Sequence, residues 1–103
     1  MTPTIVDAKH VAERVPLRFA FALEMDVGVT IASVTRTCTL KKGIDTSPAA
    51  VLSGAATVNA GTGEVLQLVQ GGVGGARYVV VCVATLSNGL VLVRGIELPV
   101  IDF

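Results

Sequence analysis

Leu17, Phe19, Phe21 and Leu23 alternate with Arg18, Ala20, Ala22 and Glu24. That period of two predicts a half-buried strand over residues 16–23, with its large apolar side chains facing inward. Asp26 and Gly28 supply a turn. Residues 30–40 then alternate again, with Ile31, Ser33, Thr35, Thr37 and Thr39 on one face and Ala32, Val34, Arg36, Cys38 and Leu40 on the other. The threonine face is expected to meet water. Lys41, Lys42, Gly43 and Asp45 break the pattern, and residues 48–53 read as a short strand. The small residues of 54–63 offer little to bury, which suits a mobile loop or a weak edge strand.

Residues 65–70 resume the apolar alternation, and Gly71, Gly72, Gly74 and Gly75 form a tight corner that tolerates positive φ. A strand over 77–85 follows. Ser87, Asn88 and Gly89 predict a hairpin turn, because Asn-Gly accepts the left-handed conformations that match strand twist. Residues 90–100 return as the last strand, with Gly95 expected to mark a bulge. Six or seven strands and few helix signals predict an all-β fold, an immunoglobulin-like antiparallel β-sandwich. Residues 1–14 are read as an N-terminal arm or first edge segment and 15–103 as the sandwich domain. Tyr78, the only tyrosine, stands near the start of the penultimate strand. Sandwiches of this kind often carry there a tyrosine whose hydroxyl reaches back to upstream backbone. The alternative is an ordinary core or rim tyrosine.

Both faces of the last two strands are apolar. Tyr78, Val80, Cys82 and Ala84 oppose Val79, Val81 and Val83, and Leu90, Leu92, Ile96 and Leu98 oppose Val91 and Val93. A two-layer sandwich covers one face of each sheet. The outer set is therefore a candidate protein contact, with Val79, Val81, Val83, Val91 and Val93 as the candidate interface residues; the opposite set is the alternative. A third layer formed by the N-terminal arm or the 54–63 loop would bury the same patch within one molecule.

Composition narrows the function classes. The 103 residues carry 8 Lys+Arg against 8 Asp+Glu and are 51% hydrophobic but only 16% charged. This excludes intrinsic disorder and leaves little polar surface. A balanced chain lacks the cationic excess that phosphate binding requires, so no nucleic-acid partner is expected. The longest apolar stretch suits a strand, so no membrane span is expected either. The N-terminal segment mixes charges into the place of a secretory signal, which predicts no Sec-dependent export and free thiols at Cys38 and Cys82.

No catalytic residue, metal site or cofactor is indicated. The sole histidine, His10, lies far from any nucleophile motif, the two cysteines are isolated from it, and the carboxylates are scattered singly. The glycine run 71–75 leads into the strand-like RYVVVCVAT rather than a helix, against a phosphate cradle. No Trp and one Tyr give weak support to sugar binding.

The C-terminal half, LQLVQGGVGGARYVVVCVATLSNGLVLVRGIELPV, resembles that of small tailed-bacteriophage proteins known as fibre-tail adaptors. The matching positions are Gly71, Gly72, Gly75, Tyr78, Thr85, Gly89, Arg94 and Val100. Upstream, residues 17–23 look like the family's first alternating strand, and Thr30-Ile31-Ala32-Ser33 is similar to its Asp-Thr-Ile-x-Ser segment. Val29 stands where that family has Asp, and Leu90 where Arg is common. The resemblance implies a non-enzymatic structural protein of the virion, assembled in the host cytoplasm, that joins phage tail and fibre proteins in several copies per particle. Its turn and corner residues are Gly71, Gly72, Gly75, Tyr78, Asn88 and Gly89. A capsid decoration or head-tail joint protein, or a free host-glycan or peptide-binding module, is the alternative.

Overall fold

The computed structural model of the protein describes residues 4–103. Eight strands form in chain order: β1 (Thr4–Ile5), β2 (Lys9–His10), β3 (Arg14–Ala20), β4 (Ile31–Lys42), β5 (Thr57–Asn59), β6 (Glu64–Gln70), β7 (Arg77–Leu86) and β8 (Val91–Ile101). The count exceeds six or seven because the arm supplies two pieces of two residues each. One sheet runs β1-β8-β7-β4, with β2 also on β8, and the other runs β3-β6-β5. Both arm strands lie parallel to β8, and the remaining pairs are antiparallel. Leaving the arm aside, this is the strand order of a constant-type immunoglobulin sandwich.

The alternation read from the sequence is what closes the two layers. Leu17, Phe19, Val65 and Val69 descend from one sheet onto Tyr78, Val80, Cys82, Ala84, Ile96 and Leu98 of the other, all buried. In β4 a register shift between Ile31 and Ser33 lets Ile31 point inward although Ser33, Thr35, Thr37 and Thr39 stay exposed.

Four local expectations are corrected. β3 ends at Ala20, where Phe21 takes φ −119° and ψ 0° and opens a 3-10 turn over Ala22–Glu24. Leu23 therefore points into solvent, 99% exposed, instead of continuing the buried row. Residues 48–53 are not a strand: Pro48–Val51 is a 3-10 turn, begun by a proline whose fixed φ suits that geometry, and only Leu52 bridges to Val69. The 54–63 segment, by contrast, matches its weak-edge-strand reading, since it contains β5, a three-residue edge strand. At the β7–β8 hairpin only Gly89 is left-handed (φ +89°), and among the described residues none other than glycine has positive φ. The loop is three residues long, with Gly89 N–H donating to Leu86 O and Leu86 N–H to Leu90 O, a turn closed by a glycine bulge. Gly95 itself pairs with Val81 without any shift in register.

Candidate interaction surface

The corner between β6 and β7 fixes one end of the sandwich. Gly71, Gly72 and Gly75 have φ of +60°, +89° and +85°. A Cβ on Gly72 would lie 3.3 Å from Tyr78 Cε2 and 3.0 Å from Val100 Cγ2, so the bare backbone is what lets the corner lie on the tyrosine ring. The fully buried Tyr78 accepts a hydrogen bond from Val73 N–H at 2.8 Å and donates one to Asp45 Oδ2 at 2.7 Å. Burial and the hydrogen bond to Asp45 raise the phenol pKa, and the same hydroxyl lowers that of the Asp45 carboxyl, helped by Ser47 N–H. Lys9, also buried, donates to Gly71 O and His10 O, both at 2.7 Å, tying β2 to the corner. Burial lowers its pKa.

A second polar cluster lies between the sheets. Arg36 Nε donates to Gln67 Oε1 at 2.8 Å, and Gln67 Nε2 donates to Leu68 O at 2.8 Å and Gly54 O at 3.2 Å. Among the described residues no buried side-chain polar atom lacks a partner, so this cluster adds specificity without an unsatisfied group. Cys38 and Cys82 are free and buried, and burial pushes both thiols up to about 11. His10 accepts Ala12 N–H through Nδ1 at 3.1 Å, a local structural bond. No group of three or more His, Cys, Asp or Glu side chains that could hold a metal occurs among the described residues.

The outer face of the β4–β7–β8 sheet carries the valines. Residues directly opposite one another share a face. The pairing therefore sets Thr35, Val83 and Val93 in one row, Thr37, Val81 and Gly95 in the next, and Thr39, Val79 and Glu97 in a third. Val79, Val81 and Val83 are half-buried by their neighbours, while Val91 and Val93 are 57% and 43% exposed. The opposite set, Tyr78, Val80, Cys82 and Ala84, is in the core. No third layer forms over the valines from the described residues: the arm strands add to the β8 edge, and 54–63 belongs to the other sheet. At one end of this face the nearly buried Glu97 carboxylate accepts from Lys41 Nζ at 2.8 Å and Arg77 at 3.3 Å. The Lys41 bond, opposed by desolvation and aided by Arg77, lowers its pKa.

The outer face of β3–β6 is different, with Arg14 opposite Gln70, Pro16 opposite Leu68 and Arg18 opposite Leu66, and an Arg18–Glu64 ion pair at 3.7 Å. Apolar side chains reappear at the end bearing residues 21–30, 60–63 and 87–90. Leu23 and Val27 are fully exposed there and Leu90 half exposed. The loops are held together by Ser87 N–H donating to Thr30 O at 2.8 Å, Thr30 N–H to Ser87 Oγ at 3.1 Å, and an Arg94–Glu24 ion pair at 2.6 Å. Sequence reasoning missed this cluster, since its members come from three loops with no common period.

The chain matches over residues 9–99 the family model described as podophage GP4 fiber-tail adaptor protein gp77. No curated protein and no solved structure matches it.

Proposed function

The chain belongs to the podophage GP4 fiber-tail adaptor family, and from that premise we propose that it joins tail to fibre through the valine face of its β4–β7–β8 sheet. Membership makes it a structural component of a phage tail, carried in the virion. The observation that supports the finer reading is the uncharged row pattern of Val81, Val83, Val91 and Val93 beside Thr35 and Thr37, left uncovered by any other described part of the chain. Monomeric proteins seldom leave such a patch bare beyond a few hundred Å². A standard contact buries about 800 Å² per partner and would remove it. The reading includes several copies per particle, assembly in the host cytoplasm, tail and fibre proteins as neighbours, and no enzymatic step, nucleic acid or membrane.

Val81→Lys tests the contact. Val81 faces outward, so the lysine stem lies along the sheet and its ammonium reaches water in the free subunit. The isolated variant is expected to stay folded, while its incorporation into particles falls more than tenfold because a buried contact must desolvate the charge. Wild-type stoichiometry with a folded variant would refute the assignment. So would unfolding of the isolated subunit, which would mean that the face is covered within one molecule.

A further inference from the structure

The loop joining β3 to β4 is built of two consecutive turns. Met25 N–H donates to Ala22 O at 3.2 Å, and Val29 N–H donates to Asp26 O at 3.0 Å. Gly28 (φ +82°) occupies the third position of the second turn, the left-handed place that a type II turn reserves for glycine. Leu23 and Val27 each take the second position of a turn, at its outer corner, and are 99% and 106% exposed. The turns hold those two positions out in water whatever residue stands there, and at both the chain carries a branched apolar side chain. Between them Met25 packs against the core. A Cβ on Gly63 would come 2.6 Å from Met25 Sδ and 3.0 Å from Ala22 N, so the β5–β6 loop lies directly on this one. Phe21 N–H donating to Gly63 O at 2.8 Å, the Arg94–Glu24 ion pair, and the Arg94 guanidinium 5.3 Å from the Phe21 ring centroid complete the anchorage. The two apolar corners are convex and held in place before any partner arrives, which lowers the entropy cost of a contact.

We propose that Leu23 and Val27 anchor a second contact, received by an apolar pocket in another virion protein that carries Lys or Arg at its rim. An adaptor holds two bodies and needs a surface for each. The inference rests on the adaptor reading for that requirement alone, since the loop end lies off the valine face, where the chain crosses from one sheet to the other. Convex side chains without packing in their own chain are complemented by a concave site, not by a flat sheet or an added strand. Charge selects the rim. The three loops at this end, 21–30, 60–63 and 87–90, contain no Lys or Arg. Glu24 is neutralised by Arg94, whereas Asp26, exposed between the two anchors, has no ion-pair partner among the described residues. A carboxylate there opposes an anionic lipid surface, to which apolar projections are normally accompanied by Lys and Arg, and favours a cation at the edge of a protein pocket. Leu90, half exposed on the loop tied to Thr30 through Ser87, extends the apolar part of the contact.

Leu23→Ser combined with Val27→Ser removes both anchors. Neither side chain packs in the free subunit, so the urea midpoint of the isolated double variant should stay at the wild-type value. Its incorporation into particles should fall about tenfold or more. Asp26→Lys should lower incorporation about threefold, the effect of one exposed charge pair. A photo-reactive benzoylphenylalanine placed at position 27 should cross-link, in assembled particles, to a virion protein different from the one reached from position 81. Cross-linking from position 27 with none from position 81 would defeat the valine-face reading and support this one. The proposal is overturned by a double variant that incorporates at the wild-type level or loses stability in isolation, or by Asp26→Lys incorporating as well as wild type. It is equally overturned if position 27 cross-links to nothing, to the protein reached from position 81 or to a second copy of this chain, or if the wild type binds phosphatidylcholine vesicles and the double variant does not.

Discussion

Replacing Tyr78 with Phe leaves the ring in its packed position and removes one atom, the hydroxyl that joins the β6–β7 corner to the loop after β4. The ring is fully buried and stays so, hence no apolar area is lost. What disappears is one hydrogen bond accepted from Val73 N–H and one donated to Asp45. Val73 is exposed, so water can replace its acceptor, and the neutral bond alone contributes about 1 kcal/mol. The bond to the carboxylate is the stronger kind, and together they put the loss for Tyr78→Phe at about 1–3 kcal/mol. With a urea slope near 1 kcal/mol/M, as small domains have, the unfolding midpoint should fall by roughly 1–3 M. The pH profile carries a second signature. Asp45 has a folded pKa below its ordinary 3.8, so its stabilisation is present above that value and is lost as the pH falls through the lower folded one. Tyr78 has a folded pKa above 10.0, so its stabilisation is present below pH 10 and is lost as the pH rises through the higher folded value. Tyr78→Phe should remove the tyrosine's share of the alkaline loss, leaving that of Cys38 and Cys82, and reduce the acidic one. A variant within about 0.5 kcal/mol of wild type, with the acid limb unchanged, would refute the view that this hydroxyl fastens the corner.

Gly72→Ala puts a methyl group into a left-handed conformation and against Tyr78 and Val100; it should cost about 1–2 kcal/mol from the backbone alone, measured by denaturant titration. Cys38 and Cys82, buried and with pKa values pushed up to about 11, should resist a thiol reagent at pH 8 in the native protein, and mass spectrometry should find both modified after denaturation without reductant.

The parts of the fold that a period of two controls were legible. Leu17, Phe19, Val80 and Leu98 fell on the buried face because each belongs to a strand long enough to fix its own phase. The same phase set Val79, Val81 and Val83 against Tyr78, Val80 and Cys82, but which set faces outward is decided by the packing of the second sheet. What failed was local geometry at strand ends: nothing in the alternation of Phe21 and Leu23 reveals that the chain turns at Phe21, whose N–H donates to Gly63 O forty-two residues away. The polar cluster was readable and was missed. Gln67 shares parity with Val65 and Val69, and Arg36 with Val34 and Cys38, so both inward positions were present in the pattern. The parallel pairing of the arm with β8 and the enclosure of Glu97 by Lys41 and Arg77 depend on residues brought together only by folding.

With 16% charged residues, the chain has few charges to distribute, and where they lie bears on how the valine face would associate. Glu97 is matched by Lys41 and Arg77 at one end of the face, and Glu24 by Arg94 at the loop end. Arg18 and Glu64 pair on the opposite sheet. Between the two framing clusters the exposed outer side chains are valine, threonine and Ser33, so that stretch of the face is flat and uncharged. Charges that already have partners steer an approaching protein weakly, whereas unpaired ones raise association rates that salt then suppresses. Association through this face should therefore rest on apolar burial, and binding to the particle should change little between about 50 mM and 500 mM salt, a range over which the Debye length falls from roughly 14 to 4 Å. Quantifying the bound subunit by pelleting particles across that range checks this. A loss of tenfold or more at the upper end would show that charge pairing carries the contact, and would direct attention from the valines to Lys41, Arg77 and Glu97.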